Sequence, residues 1–160
     1  MGDLLAVDVG LRTGMALFRP DGKLAWYRSR KLGSTARLKK ISHSLLKEIP
    51  DLACLVLEGG GPLAKIWVAE AKRREIPVKP VCAEIWRKLF LYPREQEGRG
   101  KAKRQAFKIA RQVIEWSGAP RPTSLRHDTA EAILIGLWGV LELGWIKALP
   151  EGIKKNTASI

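Results

Sequence analysis

Four acids stand where carboxylates are costly. Asp8 closes the apolar run Leu4-Leu5-Ala6-Val7, and Glu58 closes Leu55-Val56-Leu57. Asp128 and Glu131 are three apart in a mostly apolar stretch, so on a helix they share one face. Buried carboxylates need a partner, a proton or a metal. Their oxygens suit the hard ions Mg²⁺ or Mn²⁺. Two such ions ~3.5–4 Å apart activate a water and stabilise the leaving oxygen of a phosphodiester. Each acid also has a plain structural reading. Asp8-Val9-Gly10 is ordinary turn chemistry, and Glu58 before three glycines can cap a turn. Asp128 can favour a helix dipole, and Glu131 can be a solvated helix residue. The joint pattern points to a site.

The elements that must position these acids follow from hydrophobic spacing. Leu4 to Gly10 reads as a buried strand ended by glycine. Gly14–Arg19 and Leu24–Arg30 are two more strands around the turn Pro20-Asp21-Gly22, giving an antiparallel meander. Ser34 caps an amphipathic helix carrying Leu38, Ile41, Leu45 and Ile49, stopped by Pro50. Ala53–Glu58 is a buried strand, followed by a helix over about Leu63–Arg74 in which Trp67 reads as core. Pro77–Cys82 is an edge strand, because its prolines cannot serve a central ladder. Helices follow over Ala83–Leu91 and Lys101–Trp116, with Tyr92–Gly100 as an exposed loop between them. The last helix, capped by Thr123 or Ser124, runs to about Leu143. The spacing predicts an α/β fold: a mixed five-stranded sheet, three antiparallel strands then two parallel, with helices on both faces. If the first and fourth strands are adjacent and parallel, Asp8 and Glu58 sit side by side at the end of the sheet that ligands favour.

The chain has 160 residues, enough for one domain over 1–146 with a flexible tail over 147–160. Twenty-nine Lys and Arg against sixteen Asp and Glu leave a net charge of +13. That balance favours polyanionic partners, nucleic acid first. Lys23–Lys47 holds eight basic residues and no acid, and Arg87–Arg111 holds nine against Glu95 and Glu97. Lys101, Lys103 and Arg104 open a helix, where backbone N–H groups also favour phosphate. With Arg87 and Arg12 they are the expected nucleic-acid contacts. Arg37, Lys39 and Lys40 are weaker candidates. Cys54 and Cys82 lie in apolar runs and read as reduced core residues of a cytoplasmic protein. No run of 18 apolar residues is present, so no membrane span is expected.

The order of these motifs resembles a known family. Leu5-Ala6-Val7-Asp8-Val9-Gly10-Leu11-Arg12-Thr13-Gly14 resembles the first strand and turn of RuvC-type Holliday-junction resolvases, of the RNase H-like (retroviral integrase) superfamily. Leu55-Val56-Leu57-Glu58 resembles that family's fourth-strand glutamate. Gly98-x-Gly100-x-Ala102-x-Arg104 resembles its glycine-rich lead into a helix, and Asp128-Thr129-Ala130-Glu131-Ala132 its terminal Asp-x-x-Asp-Ala helix. Val81–Arg87 is similar to phage-type relatives with a Trp-Arg or Trp-Lys pair, here Trp86-Arg87. The resemblance covers about residues 4 to 143. It implies an RNase H-like fold and a homodimeric endonuclease with two Mg²⁺ or Mn²⁺ ions per site. That enzyme would nick four-way DNA junctions in recombination and repair, leaving a 5′-phosphate and a 3′-hydroxyl. Asp8, Glu58, Asp128 and Glu131 would be its catalytic acids and metal ligands.

Three features depart from that pattern. Glu131 stands where Asp is common. Gly59-Gly60-Gly61-Pro62 follows Glu58 where resolvases often place a junction-wedging aromatic. His127 adjoins Asp128, and although some relatives use a histidine in this cluster, a first-turn histidine reads as structural. Other functions keep part of the pattern: an RNase H-like nuclease on RNA–DNA hybrids, flaps or RNA precursors, or a non-catalytic module holding branched nucleic acid. A sugar kinase-like ATPase needs two such domains, and the chain holds one.

Overall fold

The computed structural model describes residues 2–91 and 100–153. Strands β1 (Asp3–Asp8), β2 (Arg12–Phe18) and β3 (Leu24–Lys31) are followed by α1 (Thr35–Glu48), β4 (Leu52–Glu58) and α2 (Gly61–Arg73). Then come β5 (Val78–Val81), α3 (Ala83–Phe90), α4 (Lys101–Ser117) and α5 (His127–Glu142). The sheet order is β3-β2-β1-β4-β5. β1–β2 and β2–β3 pair antiparallel, while β1–β4 and β4–β5 pair parallel. The mixed sheet expected from the sequence is therefore present, with β5 and its Pro80 at an edge.

Strand alternation splits the core into two layers. Leu4, Ala6 and Val56 face α3, α4 and α5, and Leu5, Val7, Leu55 and Leu57 face α1 and α2. By the same parity Asp8 and Glu58 face the α5 side. Trp67 lies fully buried in the α1–α2 layer, as its helical position implied.

α5 is the central helix, buried continuously from Thr129 to Val140. Glycines bring it onto the sheet. A Cβ on Gly136 would come within 2.1 Å of the Phe18 ring, and one on Gly139 within 3.1 Å of Leu4 and Val56. On the strand side, a Cβ on Gly14 would lie 2.0 Å from the Asp128 carbonyl oxygen. The first turn of α5 thus rests directly on β2.

Two expectations are corrected. Cys54 is buried, but Cys82 is exposed: it is the N-cap of α3, where the chain leaves edge strand β5. Neither Thr123 nor Ser124 caps the last helix; it starts at His127, with Arg126 as an N-cap that makes no side-chain hydrogen bond. The Ser34 cap is present, its hydroxyl accepting from the Arg37 N–H at 3.2 Å. Beyond α5, Ile153 is buried against the core and the Gly152 carbonyl accepts from Gln112. Most of the expected loop (92–99) and the end of the expected tail (154–160) lie outside the described residues.

Candidate active site

β1 and β4 deliver the first two acids. Asp8 and Glu58 are direct partners in the parallel ladder, each the last residue of its strand. Local structure keeps them there. Thr13 Oγ1, fully buried, donates to the Gly10 carbonyl at 2.7 Å and pins the β1–β2 loop. After Glu58 the backbone turns at Gly59 with φ +117°, a conformation that side chains resist, and the Glu58 carbonyl accepts from the Val9 N–H at 2.9 Å.

α5 delivers the third. Glu131 lies one turn into the helix and is nearly buried. Carboxylate oxygens of Asp8, Glu58 and Glu131 all lie within 4.8 Å of one another. Three acids this close repel. Burial, then a hydrogen bond with Glu58 and the charges of Glu131 and Glu58, pushes the Asp8 carboxyl up to about 9. A cation would relieve the same repulsion, so this all-oxygen donor set fits Mg²⁺ or Mn²⁺.

Asp128 has a different partner. Its Oδ2 accepts from Ser29 Oγ of β3 at 2.6 Å, and it is not one of the three acids that meet within 4.8 Å. Two residues converge instead on Glu131. Arg87 Nη2 of α3 donates to Glu131 Oε1 at 2.9 Å, and His127 Nε2 lies 3.1 Å from the same oxygen. The charge of Arg87 predicts a nucleic-acid contact and the first-turn position of His127 predicts a structural role; in the structure both touch Glu131. The spacing of His127 and Glu131, one helical turn, was the signal that joins them. His127 Nδ1 is buried without a hydrogen-bond partner among the described residues.

The other cationic residues expected to meet nucleic acid are exposed. Arg12 is exposed at the start of β2, beyond the Gly14 that pairs with Asp8. Lys101, Lys103 and Arg104 are exposed on the first turn of α4, which follows Gly100 in a left-handed conformation. One turn after Lys103, the Phe107 ring lies 5.9 Å from that of His127. α4 thus meets, at Phe107, the histidine that touches Glu131. A shallow hollow of about 440 Å³ opens beside Glu58, lined by Gly59, Gly60, Cys82 and Ile85. A cleft of about 960 Å³ lies elsewhere, between α1 and α2.

No protein-family model matches the chain, and no curated protein matches it. Solved structures do. The simian T-cell lymphotropic virus intasome in complex with PP2A regulatory subunit B56 gamma aligns at 10% identity over 96% of this chain and 53% of that one, with a TM-score of 0.33 too low to carry weight. T. thermophilus RuvC in complex with Holliday junction substrate aligns at 14% identity over 97% of this chain and 99% of that one, with a TM-score of 0.61. That whole-chain match shows the fold: the chain is built as the RNase H-like sheet and helices of RuvC are.

Proposed function

We propose that the chain is a metal-dependent, structure-selective endonuclease that hydrolyses phosphodiesters in branched DNA, with the four-way junction as its substrate and a two-fold homodimer as its working form. The observation that carries this reading is the convergence of Asp8, Glu58 and Glu131 from three separate elements in a strongly cationic chain. These three would hold Mg²⁺ or Mn²⁺, with Asp128 at their flank as a further ligand. When bound, the ions supply a nucleophilic water and charge stabilisation for the leaving oxygen.

The chain's own residues do the rest. His127 and Arg87 fix the position of the Glu131 carboxylate, and Arg87 leaves donors over for a phosphate oxygen. Lys101, Lys103, Arg104 and Arg12 contact the backbone and position it without reading sequence. A two-fold dimer would present two such sites to a two-fold junction. The fold shared with RuvC, whose solved complex holds a Holliday junction, supports this choice of substrate.

One observation favours a second substrate class. Trp67, the nearest aromatic after Glu58, is fully buried, so it offers no wedge for a junction centre. RNA–DNA hybrids, flaps and RNA precursors need none.

The test compares cleavage of an immobile four-way junction, linear duplex, flap and hybrid with Mg²⁺ and Mn²⁺. Paired symmetric nicks in the junction alone, absent from Asp8→Asn, are expected. Preferential cutting of hybrid or flap selects the second class. Metal-independent binding without cleavage of any substrate removes the nuclease reading and leaves a binding module.

Among the described residues no helix is long and apolar enough to cross a membrane.

A further inference from the structure

α1 and α2 pack on the sheet face opposite the acidic cluster, and a cleft of about 960 Å³ opens between them. One edge carries Lys39 and Lys40 of α1. The other carries Lys65 and Arg73 of α2, two turns apart in one row, with only the Ala69 methyl between them.

A buried acid organises the cleft. Glu70 is 2% exposed. Its Oε1 accepts from Arg74 Nε at 2.9 Å and lies 2.9 Å from His43 Nδ1, while Oε2 accepts from Arg73 Nη2. Burial pushes the Glu70 carboxyl up, but the hydrogen bonds from Arg73, Arg74 and His43 outweigh it and hold the group down at about 2. One carboxylate thus ties together both helices and fixes two guanidinium groups. Arg73 remains 71% exposed while its Nη2 donates to Glu70, and a guanidinium has five N–H donors in all. Lys39, Lys40 and Lys65 form no ion pair among the described residues. Five cations therefore line a cleft whose single acid is already engaged. A second copy docking here symmetrically would set this cationic surface against itself. A polyanion neutralises it.

We propose that the α1–α2 cleft is a phosphodiester-binding exosite that grips nucleic-acid backbone on the face of the sheet away from the acids. The choice of nucleic acid as the polyanion rests on the function proposed above; the cleft itself does not depend on the reaction at the acids. A segment held here anchors a substrate arm while a different segment lies at the acidic cluster.

The test is binding of fluorescein-labelled duplex DNA by the full chain in EDTA across a salt series. Lys65→Glu/Arg73→Glu and, separately, Lys39→Glu/Lys40→Glu are compared with the wild type. Each pair should weaken binding about tenfold and reduce the slope of log K against log[salt] by about 2, as expected for two lost phosphate contacts. The α1 pair leaves the Glu70 network untouched, so it separates lost contacts from misfolding, and circular dichroism with thermal melting checks that both variants are folded. Unchanged slopes in both folded variants overturn the proposal. Altered binding of inorganic phosphate alone, with an unchanged DNA slope, overturns it in favour of a small-anion site. A changed sedimentation state with an unchanged slope overturns it in favour of a protein interface. If the exosite holds but no substrate is cut, the nuclease reading alone has failed.

Discussion

The Arg87 guanidinium lies 2.9 Å from Glu131 Oε1, so a cation of the chain's own engages the third acid. A divalent ion held by the three acids, as proposed, would compete with it. Arg87→Gln removes that competitor and leaves three acids with less compensation. The metal-free variant should lose about 1–2 kcal/mol of stability, between the values of exposed and buried ion pairs. Its melting temperature should rise more on adding Mn²⁺ than that of the wild type. Paired thermal melts in EDTA and Mn²⁺ check both effects, and an equal metal response in the two proteins would rule out the competition.

Glu131 and Asp128 should separate on substitution. Glu131 meets Asp8 and Glu58, whereas Asp128 is bonded to Ser29. Glu131→Gln should therefore weaken Mn²⁺ binding at least about tenfold (about 1.4 kcal/mol), and Asp128→Asn should weaken it less. Calorimetric titration decides. Equal losses would mean that Asp128 leaves Ser29 to ligate the ion.

Gly14 sets the height of α5 over the sheet. The Cβ of Gly14→Ala would meet the Asp128 carbonyl at 2.0 Å, and backbone cannot rotate away as a side chain can. The substitution should destabilise the protein by about 1–3 kcal/mol, the usual cost of overpacking. It should also displace Glu131 and weaken metal binding. Denaturant unfolding and Mn²⁺ calorimetry on the same variant test this, and undiminished stability would show that the helix can lift freely.

Glu70 links stability to pH. Its folded carboxyl sits at about 2 against an ordinary 4.5, so the ionised form is favoured by folding. The stabilisation is fully present above pH 4.5 and is lost as pH falls toward 2. Glu70→Gln should cost about 1–2 kcal/mol at neutral pH through its broken charged hydrogen bonds. The gap from wild type should close on acidification below pH 4.5. Melting curves over that range would contradict the assignment if the gap stayed constant.

Much of this was legible in the sequence because it depends on local pattern. Apolar runs, prolines and turns locate the strands and put Asp8 and Glu58 at their ends, and the parallel pairing of β1 with β4 sets the two side by side. What escaped depends on contacts between elements. The hydrogen bond between Asp128 and Ser29 joins residues about a hundred positions apart, and no spacing announces it. The charge of Arg87 is visible in the sequence, but its partner is set by how α3 packs against α5. Cys82 sits in an apolar stretch, and only the edge position of β5 explains its exposure. His127 was within reach, since its one-turn spacing to Glu131 is visible in the sequence.

The pairing of Asp8 with Glu58 also has a consequence for how the protein comes to be competent. These two acids are about fifty residues apart in sequence, and they meet only when the parallel β1–β4 ladder has closed. Such long-range pairing pays its loop-closure entropy before it gains contacts. A chain emerging from synthesis, or one partly opened by stress, displays single carboxylates that cannot hold an ion together. If the acids hold metal as proposed, metal uptake would register completion of the topology, and a half-folded copy would lack the site on which the proposed cleavage depends.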